Sequence, residues 1–259
     1  MEKAGRQNFR EMLAPLQMAR VPWLHTTLGS WSIGPETYSL EQYLLSGPRG
    51  GGDYFRVGVF AGMHGDETAG VFAAIRFLQE LAQNPDLARG YEVYLYPLCN
   101  PSGFEDGTRH SRSGPDLNRE FWIGSREPEV EMLERQIRTL RLDGLISLHA
   151  DDESDGLYAY ALGAQVTQHV VEPALRAAEK ILPRNRNATI DNFTARNGLI
   201  QKGYPGMLGA APEARPRPFE IVFETPLHAD LEKQIEANLV FLRNALDQYQ
   251  QLQAVGQDL

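Results

Sequence analysis

The chain has 259 residues, 42% apolar and 23% charged, with 25 Lys and Arg against 34 Asp and Glu for a net charge of −9. That length suits one large α/β domain or two small ones, with a core that needs no covalent staples. The acidic balance argues against a general nucleic-acid binder, which needs a basic face for phosphate, and a single cysteine, Cys99, excludes an intrachain disulfide.

A lone cysteine fits a reducing compartment. Residues 1–16 are charged and lack the apolar run of a secretory signal. No stretch of about 18 apolar residues occurs, so no membrane span is expected. The expected location is cytoplasmic, with neither membrane nor nucleic acid as partner. Asn187-Ala188-Thr189 and Asn192-Phe193-Thr194 match the glycosylation tripeptide and are read as chance in that compartment.

In chain order, Phe9, Met12, Leu13 and Leu16 predict a short helix over 6–18, and residues 37–45 a strand. Pro48–Gly52 is a glycine-rich turn. Residues 55–61 lack clean alternation, as a strand covered on both faces does. Val71, Phe72, Ile75, Leu78 and Leu81 give a helical face over 68–83, ended by Asn84-Pro85. A strand is expected over 91–98, then a long loop over 99–122 rich in Gly, Pro, Ser, Asn and Arg. A loop of that length inside a domain is usually functional. There follow a helix over 129–140, strands over 144–149 and 157–162, and a helix over 166–181. Residues 183–218 read as loops or a small hairpin, 219–223 as a strand, and 229–252 as an amphipathic helix. The alternation predicts a single α/β domain with a central, mixed, mostly parallel sheet flanked by helices. Its parts are an N-terminal helix and edge strand (1–50), a catalytic core (51–228) and a C-terminal helix (229–259).

The chemistry starts at Gly62-Met63-His64-Gly65-Asp66-Glu67, after the apolar run 57–61. A strand that delivers a His and, three residues on, a Glu into a Gly-rich turn can supply two arms of a zinc site. Asp66 is expected only to shape the turn. Of six histidines, only His64 and His149 directly follow a buried strand, and the carboxyl ends of strands are where open α/β sheets bind ligands. His149 is therefore the candidate third ligand, although a lone strand-end His can equally be structural. Glu224, ending the strand that begins at Phe219, is the candidate base for the attacking water. Glu220, of the same parity on that strand, is its rival. Arg109, Arg112 and Arg119 with Asn118 concentrate in one loop, which suggests either an anionic substrate or a solvated basic loop. Ala150-Asp151-Asp152-Glu153-Ser154-Asp155 is an acidic run beside His149. It is either a solvated loop or a selector against extra negative charge. Cys99 is assigned no role beyond a buried small hydrophobe.

Together His64-Gly-Asp-Glu67, Asn100-Pro-Ser-Gly103, Gly107-Thr-Arg109, Asp116-Leu-Asn118-Arg119, Leu148-His149 and Phe223-Glu224-Thr225-Pro226 resemble the zinc carboxypeptidase superfamily. That superfamily includes carboxypeptidase A and the murein peptide amidases, with succinylglutamate desuccinylase and aspartoacylase as relatives. The resemblance implies one zinc per chain on His64, Glu67 and His149. Asp116 would orient His64, Arg109 would stabilise the carbonyl oxyanion, and Asn118 and Arg119 would clamp a terminal carboxylate. Arg112 is a further substrate-binding candidate, less favoured than Arg109 as the oxyanion residue. Glu224 would be base, then acid to the leaving amine. Tyr204 stands near the spacing of the superfamily's mobile tyrosine, in a sequence context that departs from it. Glu120 stands where Asn is frequent. The implied reaction is zinc-dependent cleavage of an amide bond next to a free carboxylate in a peptide, as a metallocarboxypeptidase does, with deacylation of an N-acyl amino acid, as aspartoacylase does, as the runner-up. A binding protein that kept the fold and lost catalysis is the alternative of a different class.

Overall fold

A computed structural model describes residues 23–257; the helix expected over 6–18 lies outside them. Eight strands form one mixed sheet in the order β1-β2-β4-β3-β5-β10-β6-β9. The central run is parallel: β4 (Tyr91–Tyr96), β3 (Phe55–Ala61), β5 (Gly144–Asp151) and β10 (Phe219–Pro226). Antiparallel strands flank it, with β1 (Trp23–Ile33) and β2 (Glu36–Ser46) as a hairpin on one side and β6 (Tyr158–Ala161) on the other. The two-residue β9 (Leu199–Ile200) closes the far edge. A separate hairpin pairs β7 (Thr189–Ile190) with β8 (Phe193–Thr194).

Why the central strands read as unbroken apolar runs is plain from their surroundings. Val57, Val59, Ile146, Leu148, Ile221 and Phe223 face one core. It is covered by helix α1 (Thr68–Gln83), the helical segment 164–178 (α4) and α5 (Leu231–Gln257). Phe60, Tyr94, Tyr96 and Leu145 face a second core under α3 (Pro128–Leu140). A strand buried on both faces has no polar side to alternate with.

Three departures from the sequence reading have local causes. The region expected as loop contains a short helix α2 (Pro101–Asp106), because Asn100 accepts a hydrogen bond from the Gly103 N–H (2.9 Å) and Pro101 occupies the first turn. β1 alternates only over its last five residues, and just over half of it is exposed. Its partner β2 pins it through backbone pairing and through His25 and Thr27 on Glu41, with Trp23, Leu28 and Trp31 packed at the core's edge. Segment α4 contains a π turn, Thr167–Val171, which shifts its apolar stripe.

The order β4-β3-β5 places a topological switch point at the carboxyl end of β3, where crevices form in open α/β sheets. Two glycines let the loops meet there. A Cβ on Gly65 would fall 1.9 Å from the carbonyl carbon of Gly103, so the turn after β3 and helix α2 touch backbone to backbone.

Candidate metal centre

At that switch point, β3 delivers His64 and Glu67 and the neighbouring β5 delivers His149, all three nearly fully buried. His64 Nδ1 lies 2.5 Å from Glu67 Oε1, and His149 Nδ1 lies 2.8 Å from Glu67 Oε2. The two imidazole Nδ1 atoms are 3.3 Å apart. One potential ligand atom from each residue lies within 4.8 Å of the others. Two imidazole nitrogens and a carboxylate aimed at one point form the donor set of a catalytic zinc site. A cation there takes a lone pair from each imidazole Nδ1 and from the Glu67 carboxylate at once. The residues fit a metal of that kind.

The surrounding bonds fix the triad. His64 Nε2 faces Asp116 Oδ1 at 3.1 Å, leaving Nδ1 turned inward. Asp116 sits well below the usual carboxylate range: burial opposes this, and the bond and charge of His64 outweigh it, helped by Arg109 and Arg119. Arg109 donates to Asp116 Oδ2 (3.2 Å) and Glu67 Oε1 (3.4 Å). Glu67 is likewise held low by both histidines against the cost of burial.

Glu224 lies beside His149 in the parallel pair β10–β5. Its carboxyl is pushed well up, by burial first and then by Glu67, Asp151 and Asp191. Glu224 lines the same cleft, of about 300 Å³, as His64, Glu67, Arg109, Asn118 and Arg119. Glu220 lies elsewhere: it lines a neighbouring cavity of about 250 Å³ and pairs with Arg217 at 2.7 Å.

Asn118 is buried, and its Oδ1 accepts from the Leu208 N–H (2.9 Å). Arg119 reaches the Asn118 carbonyl (2.8 Å) and stacks 4.4 Å above the Tyr204 ring. Gly206 makes this packing possible, because its φ is 77° and a Cβ there would lie 2.1 Å from the Arg119 carbonyl oxygen. The Tyr204 hydroxyl donates to the Asp191 carbonyl and carboxylate, each at 2.9 Å. Tyr204 is thus a tethered wall of the cleft.

Arg112 is not among the cleft residues. It forms a two-bond fork with Asp106 (2.7 Å each), donates to the Tyr38 hydroxyl, and so ties α2 to β2. Its spacing placed it with Arg109 and Arg119, but Asp106 and Tyr38 take up its guanidinium away from the cleft. Asp66, expected only to shape a turn, also lines the cleft, with one buried oxygen that has no partner among the described residues.

Several cleft residues were not singled out from the sequence, Asp191 and Tyr160 among them. Asp191 forms, with Asn192, the two-residue turn of the β7–β8 hairpin, both at positive φ. Asp-Asn between Ile190 and Phe193 is the signal that could have revealed it. Tyr160, on β6, donates its hydroxyl to the Asp191 carboxylate.

Among solved structures, a Shewanella baltica OS155 protein assigned to the metallopeptidases shares 22% identity, with 92% of this chain and 90% of that chain covered at a TM-score of 0.75. A metallo-carboxypeptidase from Burkholderia cenocepacia shares 16% identity, covering 93% of this chain and 68% of its own, at 0.72. The ectoine utilization protein EutE (DoeB) from Ruegeria pomeroyi, in a product-bound structure, shares 20% identity, covering 88% and 67%, at 0.60. These likenesses establish a carboxypeptidase-like fold. Comparison with curated proteins gives no match. The succinylglutamate desuccinylase/aspartoacylase catalytic domain matches residues 54–186, which include His64, Glu67, His149, Arg109, Asp116, Asn118 and Arg119. With just over half its length so matched, the chain belongs to the succinylglutamate desuccinylase/aspartoacylase family of metallohydrolases, within the zinc carboxypeptidase-like superfamily.

Proposed function

We propose that this protein is a zinc-dependent hydrolase that cleaves an amide bond next to a free carboxylate. The observation that carries the reading is the convergence of His64, Glu67 and His149 in one small cleft with a half-buried Glu224 and two guanidinium groups. One zinc per chain would be held by His64, Glu67 and His149. When bound, zinc acidifies water and polarises a carbonyl.

The chain's own residues do the rest. Glu224 takes the proton of the attacking water and returns it to the leaving nitrogen; burial among other carboxylates raises its basicity for that task. Arg109 supplies hydrogen bonds to the oxygen on which charge develops. Asp116 holds the Arg109 fork and the His64 ring in one orientation. Asn118 and Arg119 bind the substrate's carboxylate. Tyr204, stacked on Arg119, restricts that guanidinium to the cleft.

Two substrates meet this description. The family match and the cleft volume, at the low end for a small-molecule site, favour an N-acyl amino acid. The Asn118-Arg119 pair and the Glu224-Thr225-Pro226 strand end keep the carboxypeptidase reaction as the second reading. A panel of N-acyl amino acids, C-terminal dipeptides and murein peptides separates them. Release of free amino acid from the N-acyl set at a kcat/KM at least tenfold above that from any peptide is the expected result. The reverse order would make the protein a peptidase, and no hydrolysis of either set by zinc-loaded protein would remove the hydrolase reading.

A further inference from the structure

The cleft has a charge imbalance that the amide-hydrolase reading leaves unexplained. Seven carboxylate side chains line it against the two guanidinium groups of Arg109 and Arg119. Arg109 is already paired with Asp116 and Glu67. A divalent cation at the triad offsets Glu67 and one more charge. Arg119 has no carboxylate partner among the described residues. Beside it, the buried Asn118 lines the cleft, and its Nδ2 donates to no described residue. These two unfilled donors mark where a substrate carboxylate docks. Once they are engaged, Asp151, Asp152, Glu153 and Asp191 still face the cleft uncompensated.

Two of those carboxylates are held rather than left to solvent. Asp191 is engaged by the hydroxyls of Tyr160 and Tyr204, and it sits on a turn residue at φ 47°. Asp151 Oδ2 accepts from the Tyr158 hydroxyl (2.8 Å), and its Oδ1 accepts from the Glu153 N–H (2.8 Å). Each oxygen has a lone pair left over. An ordered carboxylate and an arginine free to take a carboxylate, both in contact with Tyr204, present one anionic and one cationic subsite in one cleft.

We propose that the substrate is zwitterionic around the scissile amide: beside the carboxylate bound at Arg119 it carries a cationic nitrogen group, received by Asp191 with Asp151. This inference rests on the hydrolase reading for the amide bond but reaches further, to the substrate class. The physical reason is selection by repulsion as much as by attraction. An acidic side chain would meet fixed negative charge, a neutral one would leave ordered carboxylates unpaired, and an ammonium or guanidinium would satisfy them.

The test uses equilibrium binding alongside kinetics. Zinc-loaded protein is titrated calorimetrically with L-ornithine, L-norvaline and L-glutamate, and the Nα-acetyl derivatives of the same three are assayed for hydrolysis. Ornithine should bind at least tenfold more tightly than norvaline, with glutamate weakest, and kcat/KM for the acetyl derivatives should follow that order. Asp191→Asn, whose amide tolerates the same turn, should cut the ornithine advantage to about threefold or less, and Asp151→Asn should reduce it in part. Glutamate binding as well as norvaline, no measurable binding of ornithine, or an ornithine advantage unchanged in both variants would overturn the proposal. If ornithine keeps its binding advantage while no acetyl derivative is hydrolysed, the hydrolase reading fails and the cationic subsite stands. If acetylglutamate is hydrolysed fastest, the hydrolase reading stands and the cationic subsite falls.

Discussion

Arg109 joins the triad to its surroundings, because one guanidinium touches both Asp116 and Glu67 while facing the cleft that holds Glu224. Loss of a donor to a developing oxyanion typically lowers turnover by about a hundredfold or more. Arg109→Ala should therefore reduce kcat by roughly that factor while zinc content stays near one per chain, as steady-state kinetics and metal analysis would show; near-normal turnover would remove Arg109 from the chemistry. His64, Glu67, His149 and Glu224 were legible from sequence because each sits at or just past the end of an apolar strand, and strand ends in a parallel sheet converge. Asp191 was not, because it belongs to a two-residue turn inside a polar stretch, and only the long return of the chain from β6 brings it back over the site. Arg112 stands outside the cleft residues, since spacing along a loop says nothing about which side of the loop a side chain leaves.

At the scale of elements, the site depends on a backbone contact. The turn after β3 lies against α2 so closely that Gly65 has no room for a methyl group. Gly65→Ala must push the two segments apart, and overpacking of this severity costs about 3 kcal/mol or more. Denaturant unfolding should show a lowered midpoint, and zinc affinity should fall with it, since His64 and Glu67 flank the displaced residue. The central strands and the helices α1, α3 and α5 were readable because they carry their own apolar periodicity. β1 was not, and the β7–β8 hairpin was legible only as one of two readings of residues 183–218, because their pairing rests largely on backbone bonds and turn geometry that leave little hydrophobic pattern.

For the molecule as a whole, stability carries a signature from a group remote from the chemistry. Glu129, in the first turn of α3, is buried in the second core, and neither carboxylate oxygen has a hydrogen-bond partner among the described residues. Burial, with a smaller push from Glu127, raises it from 4.5 to about 7. The folded state then holds a proton that the unfolded chain has released, so this group's contribution falls as pH rises from about 4.5 to about 7 and is flat above that. Glu129→Gln, which keeps the shape without the charge, should raise the unfolding free energy at pH 8 by about 3 kcal/mol and change it little at pH 4. Thermal melts of both proteins across that range check the slope. No described helix is long and apolar enough to cross a membrane.

The proposed reaction depends on a metal held by His64, Glu67 and His149. The most direct test is to strip the protein with a chelator, add zinc back in fractional equivalents, and count the free amino acid released from an N-acyl amino acid. Activity absent from the stripped protein, rising linearly and breaking at one zinc per chain, is the predicted result. Full activity in stripped protein, or none at any zinc level, would contradict it.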